Sequence, residues 1–346
     1  MMDSESSSSR PSGKRALLSL LVLLALTVLM FYLFKDHLDE IQAALKQITL
    51  PQALLLLALG ASFPLLDGLI AQQMLRSRKP DFTYRQGVGA TLLGTFGNVV
   101  TFGAGTLPMQ GYYLYRCGVM VGPGVGLLTL AYVFHKTAVL LYGLCLLFFQ
   151  MEWFLGGARE AAQYLLPACA VVAAIILALI LACASARVQG LVIRAMSLLP
   201  KSEAWQKRRA GWTEQLNELG GESRRLLANK PLCLRLLGIQ LVKLSLLYTI
   251  PWLGIRFMGL EPLGFWQAQM LAALMMLLSN ALPNVAGMGS IETAFLLVFQ
   301  SFLGASGAMS ALVLYRLASY YLTFAMSAVA FFLIQHRLGA EPQDKA

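Results

Sequence analysis

The chain has 346 residues, of which 58% are hydrophobic and only 13% charged, and its formal net charge is +10 at pH 7. A soluble domain carries about a quarter charged residues, and so apolar a chain could not cover a water-facing surface. The composition excludes a soluble protein and predicts an integral membrane protein with room for about eight spans of ~20 residues. The basic residues lie beside apolar segments, as in cytoplasmic loops, so nucleic-acid binding is not expected.

The first apolar segment follows a polar tail. Residues 1–15 are Ser-rich and basic, which is typical of a disordered cytoplasmic tail. The apolar run 16–34 is too long for a signal-peptide core and has no small-residue cleavage site after it, so we expect a signal anchor. Residues 36–48 have the spacing of a short amphipathic helix at the outer interface.

Two basic segments orient the later spans. The second span, about 51–75, is followed by the basic loop 76–85. The polar stretch 187–230 carries nine basic residues against four glutamates. Both segments are predicted to be cytoplasmic because Lys and Arg accumulate in cytoplasmic loops. The middle of 187–230 is predicted to form an amphipathic surface helix and is a candidate docking site for a lipid-synthesis enzyme.

The cytoplasmic placement of the two basic segments limits how the first half can cross the membrane, because each full span changes the side on which the chain lies. A fourth span (about 125–149) and a fifth (about 164–184) precede the cytoplasmic stretch, so the fourth must begin inside. Residues 86–116 must therefore leave the inner face and return to it. Two full spans need roughly 40 residues, which this glycine-rich segment of about 30 does not supply. We expect a re-entrant hairpin of two half-helices.

The second half repeats this order from the opposite face. A sixth span (about 232–257) and a last span (about 311–334) bracket residues 265–305, which are broken at SNALPNVAGMGS. Parity does not distinguish a hairpin from two short full spans here. The prediction is an all-α integral membrane fold with about six full transmembrane helices and two re-entrant hairpins, or up to eight to ten spans, in an inverted-topology repeat. The predicted repeats are 16–150 and 151–335, with 336–346 as a cytoplasmic tail, in the cytoplasmic (inner) membrane of the cell.

Both predicted hairpins contain an asparagine followed by a Gly-x-Gly. Irregular backbone at membrane depth is tolerated only where it is buried in protein or lines a polar cavity. The free N–H groups and positive ends of half-helices favour an anion such as a phosphate headgroup. The alternative is that Gly and Pro merely permit tight helix packing. The residues are Asn98, Gly103 and Gly105 in the first hairpin and Asn280, Gly287 and Gly289 in the second.

Several ionisable side chains lie within or beside apolar segments, where each would cost roughly 2.5–3.5 kcal/mol if it faced lipid at mid-depth. We expect them to face inward, paired or hydrated. Cations there suit an anionic headgroup, but Arg116 and Lys243 have the alternative of extending toward an interface. Glu292 and Arg316 have the alternative of a structural ion pair. The whole set is Asp67, Arg116, His135, Lys136, Lys243, Glu292 and Arg316.

Two stretches carry a family resemblance. LPNVAGMGSIETAF and FGNVVTFGAGTLPMQGYYLYRCGV resemble motifs of the lysylphosphatidylglycerol synthase transmembrane-region family of flippase-like membrane proteins, over about 16–335. The resemblance implies a relation to the part of bifunctional aminoacyl-phosphatidylglycerol proteins that moves modified lipid between leaflets. The positions that match are Asn98, Gly103, Gly105, Arg116, Pro283, Gly287, Gly289, Glu292 and Arg316.

The sequence departs from this family pattern in three respects. Ala286 stands where glycine is usual, which indicates a less open turn. His135 and Lys136 stand where a Glu–Arg-like pair is expected, so the headgroup preference is expected to differ. The soluble aminoacyltransferase domain does not follow, so the resemblance does not imply lipid synthesis by this chain.

The leading functional hypothesis is a flippase or transporter for an anionic phospholipid or a lipid-linked precursor. No Walker-type phosphate loop is present, so movement is expected to be passive or ion-coupled, without a cofactor. The scattered cysteines and histidines predict no metal site. The alternatives are an accessory subunit of a lipid- or polysaccharide-modifying enzyme, and a membrane-embedded lipid-modifying enzyme, which clustered carboxylates would favour. The predicted substrate-binding residues are the nine family-matched positions with His135, Lys136 and Asn280.

Overall fold

The computed structural model describes residues 46–101, 103–157, 159–196, 219–260, 263–282 and 288–340, together with Gln42 and Thr213. These parts of the chain are predominantly helical, and the all-α membrane fold is confirmed. Several predictions lie outside the described residues: the tail 1–15, the anchor 16–34, most of the helix 36–48, the centre of 187–230, the end of the tail 336–346, and Pro283, Ala286 and Gly287.

The helices follow the predicted spans with longer bounds. The fourth span extends beyond its predicted limits at both ends, and four helical segments, Leu50–Leu75, Val121–Gly157, Lys230–Phe257 and Ser290–His336, are long and apolar enough to cross a membrane. In chain order the helices are α1 Leu50–Leu75, α2 Tyr84–Val100, α3 Thr106–Arg116, α4 Val121–Gly157, α5 Arg159–Ala184, α6 Ala186–Met196, a helical stretch at 219–228, α7 Lys230–Phe257, α8 Phe265–Ser279, α9 Ser290–Arg316, a π-helical turn Leu317–Tyr321 and α10 Leu322–Ala340.

Helices α2 and α3 form the first hairpin. They have 17 and 11 residues, or ~25 and ~16 Å, so neither crosses a hydrocarbon layer of ~30 Å. Thr83 begins α2 with a capping box to Gln86, which fixes where the chain turns inward. At the other end, Lys79 Nζ donates a hydrogen bond of 2.7 Å to the Cys117 carbonyl oxygen. The hairpin therefore ends beside the loop from which it started.

Helix α8 and the first part of α9 form the second hairpin. α9 is broken at Gly304, whose φ of +70° is not helical, so its first arm covers 290–303, ~21 Å. Gly307, just after the break, packs against Leu260, just before α8. Both ends of this hairpin therefore lie at one end of the bundle as well. The predicted last span then continues as one helical segment through the π-helical turn.

The two hairpins open at opposite ends of the bundle. α1, with 26 residues and a length of ~39 Å, separates these ends. Gln47, just before α1, lies against Gly259 at the base of the second hairpin, whereas the loop after α1 holds the base of the first. At that end Arg78 also pairs with Glu222. The pair joins the two segments whose charge predicts a cytoplasmic location.

The largest apolar core lies between α4, α5, α7, α8 and α9. α8 is buried on nearly every side, as expected for a half-helix surrounded by full spans. Phe295 and Phe299 stack at 4.2 Å between ring centroids in this core. The core holds the second hairpin in place and so positions its tip.

Cysteine labelling tests the re-entrant path of the first hairpin. In a variant without the five native cysteines, Arg85→Cys and Tyr115→Cys, both exposed positions, are expected to react with an impermeant maleimide only after cells are permeabilised. Gly156→Cys, where an added side chain meets no atom within 4 Å, is expected to react on intact cells. Labelling of Tyr115→Cys from the same side as Gly156→Cys would contradict the hairpin.

Candidate functional site

The tip of the first hairpin is a tight glycine turn. Gly103 has a φ of +100° and its N–H donates to the Asn98 carbonyl oxygen at 2.8 Å. The Thr106 hydroxyl donates to Asn98 Oδ1 at 3.2 Å. Gly105 packs directly on Gly97, since a Cβ added to Gly97 would lie 2.4 Å from the Gly105 carbonyl oxygen. Asn98, Gly103 and Gly105, chosen from the sequence, are thus brought together at this tip.

Replacing Gly97 by alanine is expected to force the two arms of this hairpin apart. The new methyl group would meet backbone atoms that cannot rotate away, and overpacking of this kind costs about 1–3 kcal/mol. Thermal unfolding in detergent should show a lowered melting temperature. Gly238→Ala in α7, where an added Cβ meets nothing within 4 Å, is the matched control and should unfold as the wild type does.

The tip of the second hairpin begins at Asn280, which ends α8. Its amide nitrogen donates to the carbonyl oxygens of Met276 at 2.7 Å and Leu277 at 3.2 Å. Both carbonyls lie in the last turn of α8, and the Leu277 oxygen also accepts the Asn280 backbone N–H at 3.1 Å. The amide is therefore oriented with Oδ1 outward, where it accepts a hydrogen bond from Lys136 Nζ. On the far side of the tip, Gly289 has a φ of +93°.

The two tips meet near the middle of the bundle. Val99 from the first hairpin and Met288 from the second are buried and pack together, with Tyr320 and Phe324 against them. Lys136, the partner of Asn280, lies near the centre of the 37-residue α4. The broken helices therefore approach each other near the middle of the bundle, as expected where irregular backbone must be shielded from lipid.

A cavity of about 430 Å³ opens beside these tips, between α1, α2, α3 and α4. It contains Lys136, His135 and Asp67, all of which the sequence marked as unfavourable in lipid. The remaining wall combines hydrogen-bonding and apolar groups. Its other lining residues are Phe63, Ile70, Ala71, Thr91, Thr106, Leu107, Gln110, Leu128, Thr129, Ala131 and Tyr132.

The charges at this cavity do not cancel. Lys243, only 1% exposed, donates to Asp67 Oδ1 at 2.5 Å and lies 4.6 Å from the centroid of the Phe63 ring. That pair is neutral as a whole. Lys136 contacts the neutral Asn280 amide and the Tyr132 ring at 4.9 Å, and no carboxylate in the described parts of the chain pairs with it. The result is an excess of positive charge.

His135 joins the cavity to α7. Its Nδ1 lies 3.4 Å from Gln240 Oε1, and the Gln240 amide nitrogen donates to the Ala131 carbonyl oxygen at 3.4 Å. Phe63 packs edge-on against the imidazole at 6.3 Å. These contacts fix the ring between α1, α4 and α7, so that its neighbour Lys136 has a defined position.

The sequence model of the family described as the lysylphosphatidylglycerol synthase TM region matches residues 16–327, most of the chain. The chain belongs to this family. A comparison with curated proteins gave no match. Family membership and the apolar helices together make it a multi-pass membrane protein of lipid metabolism or transport.

Two further positions of the family motif, Glu292 and Arg316, form a buried ion pair. Arg316 Nη2 and Nε lie 2.5 and 2.6 Å from Glu292 Oε1, and Glu292 Oε2 accepts the Gly289 N–H at 2.7 Å. Arg316 also lies 4.5 Å from the centroid of the Tyr320 ring. The ion-pair alternative is what the structure shows. The pair links the second tip to the C-terminal end of α9, beyond the break at Gly304, and a direct contact with substrate stays a prediction.

Arg116, also matched to the family motif, lies away from the cavity. It is the exposed last residue of α3. Ten residues of helix at 1.5 Å each place it ~15 Å from Thr106 at the tip. It therefore sits at the base of the hairpin, where an extended arginine at the interface is favourable.

Sequence reasoning did not select Gln240, Gln110 or the threonines of the cavity wall. Gln240 lies three residues before Lys243 on α7, so both share a helix face, which was a usable signal. In the same way, Asp67 follows Phe63 by four residues on α1, so these two cavity residues share a helix face. The threonines gave no signal, because threonine in an apolar helix commonly bonds to its own backbone, as Thr129 does here.

Proposed function

We propose that this protein moves an anionic phospholipid or lipid-linked precursor between the two leaflets, with the headgroup passing through the cavity and the acyl chains remaining in the bilayer. The observation that carries the proposal is Lys136, a cation without a carboxylate partner in the described structure, at mid-depth where the two hairpins meet. Leu107 and Tyr132 line the cavity yet are 47% and 58% exposed. They provide an apolar rim along which acyl chains can lie.

The orientation of α3 supports an anionic substrate. Its first residues, Thr106 and Leu107, line the cavity, and its N-cap is Gly105, which has no capping side chain. The first N–H groups of a helix have no partner within the helix, and that end carries partial positive charge. A phosphate bound here would meet both the helix end and the Lys136 ammonium.

The packing of the helices supports an inverted repeat. α2 packs against α1 and α10, and α8 packs against α7 and α4. The two sets of contacts are equivalent when each helix of the first half is matched to one of the second half: α1 to α7, α2 to α8, and α4 to α10. α1 and α7 pack on each other and are joined by Asp67 and Lys243. Two opposed halves around one mid-depth site are the arrangement by which transporters alternate access between faces.

Reconstitution into liposomes tests the proposal. The lipid is an anionic phospholipid with its natural headgroup and a fluorophore on one acyl chain, and an impermeant reductant quenches fluorophores in the outer leaflet. With protein present, quenching is expected to proceed beyond the outer-leaflet share, either without a gradient or with an imposed pH gradient. Quenching that stops at the outer leaflet under both conditions, for several anionic lipids, would refute the proposal.

A further inference from the structure

The cavity offers little attraction to a cationic headgroup. Asp67 is the one carboxylate among the lining residues that the structure describes, and its charge is already balanced by Lys243 at 2.5 Å. Lys243 is buried and packs on Phe63, so the pair is fixed by its surroundings. An ammonium group in the cavity would face Lys136 without an unpaired carboxylate to offset the repulsion.

Lys136 is arranged to hold a phosphate. An ammonium group has three hydrogen-bond donors, and the Asn280 amide oxygen accepts one. That oxygen keeps its direction because the amide nitrogen is held by two carbonyls at the end of α8. The remaining donors are available to phosphate oxygens, and such charge-assisted bonds are stronger than neutral ones.

The rest of the polar wall is neutral. Thr91, Thr106, Gln110 and Thr129 also line the cavity. The Thr106 and Thr129 hydroxyl groups donate to Asn98 and Val125 and keep their capacity to accept, and the Gln110 amide both donates and accepts, so these side chains match the hydroxyl groups of a polyol or a sugar. They offer no full charge to an amine.

The cavity has room for a small headgroup. Its volume of about 430 Å³ accommodates one phosphate with a glycerol or a single sugar.

From these observations we infer that the cavity selects a phosphodiester headgroup whose second part is small, neutral and rich in hydroxyl groups, and that it discriminates against headgroups carrying an amine. The inference rests on the proposed function and specifies its substrate class. It gives Lys136 the role of the specificity-determining residue, through attraction to phosphate and repulsion of ammonium.

Transport of two lipids of the same acyl composition tests the inference. Acyl-labelled phosphatidylglycerol and acyl-labelled lysylphosphatidylglycerol are compared in liposomes of one composition, with and without a pH gradient. The glycerol headgroup is expected to cross at least about tenfold faster, because both lipids offer Lys136 a phosphate but only the lysylated lipid brings ammonium groups that Lys136 repels. Equal rates, or faster movement of the lysylated lipid, would overturn the inference and leave the proposed function standing. Movement of neither lipid would overturn the inference, and the proposed function would fall with it if the other anionic lipids of the first assay also fail to move.

Two variants separate charge selection from a general loss of folding. Lys136→Glu is expected to reverse the order of the two lipids, because the unpaired charge of the cavity changes sign. The double variant Asp67→Asn with Lys243→Gln removes a pair that is neutral as a whole, and is expected to keep the wild-type order. The inference is wrong if the double variant no longer moves phosphatidylglycerol faster than lysylphosphatidylglycerol while Lys136→Glu still does. In that case the buried pair sets the preference.

Discussion

Replacing Lys136 by methionine is expected to slow transport of an anionic phospholipid at least about tenfold. A hydrogen bond to a charged group contributes about 1.5–3 kcal/mol, and each 1.4 kcal/mol corresponds to a factor of ten. Methionine preserves the length and packing of the aliphatic stem. The measurement is the initial rate of quenching of an acyl-labelled anionic lipid in proteoliposomes.

A matched control distinguishes this loss from an effect of net charge. Lys230→Met removes an exposed lysine at the start of α7, outside the cavity, and should transport at the wild-type rate. Equal rates for Lys136→Met and Lys230→Met would show that the cavity cation has no part in transport.

Replacing Glu292 by alanine is expected to produce the largest loss of stability. Glu292 and Arg316 are both almost fully buried, with side chains 8% and 5% exposed. Removing one partner of such a pair breaks a buried ion pair and costs about 3–5 kcal/mol. The hydrogen bond to the Gly289 N–H is lost as well, so the second hairpin tip should loosen. Thermal unfolding in detergent measures the effect.

The control for this prediction is an exposed carboxylate on another helix. Glu152→Ala on α4 should change the free energy of unfolding by no more than about 0.5 kcal/mol. A Glu292→Ala protein that unfolds at the same temperature as Glu152→Ala would mean that the ion pair does not stabilise the second tip.

The sequence was sufficient to predict the described full spans and the first hairpin, but it left open whether 265–305 forms a hairpin or two short spans. Lipid requires long apolar helices, so α1, α4 and α7 could be read from uninterrupted apolar runs. The first hairpin followed from arithmetic, since residues 86–116 must return to the face they left and are too few to cross twice. The break at Gly304 could not be read in this way, because a lone glycine within an apolar helix is common in membrane proteins.

The pairing of the site residues could not be predicted from sequence. Asp67 and Lys243 are separated by 176 residues, and Lys136 and Asn280 by 144. Helical periodicity relates only neighbours on one helix, whereas these pairs depend on how separate helices pack. The cost of charge in lipid identified each residue as one that must face inward. Which residues met, and that Lys136 met an amide instead of a carboxylate, depended on the tertiary fold.

The most direct measurement of the central claim is a reversible block of the cavity. In the cysteine-free protein, Thr129→Cys places a thiol in the cavity wall, and Thr137→Cys places one on the same helix outside it. Both threonines bond only to the carbonyl oxygen four residues earlier in the hydrogen bonds described, so the two substitutions are closely matched.

Each thiol is modified with a bulky methanethiosulfonate reagent, modification is verified by mass, and lipid transport is measured before and after reduction. Modified Thr129→Cys is expected to lose transport and to recover it with reductant, while modified Thr137→Cys remains active. Full transport by the modified Thr129→Cys protein would contradict passage of the headgroup through this cavity.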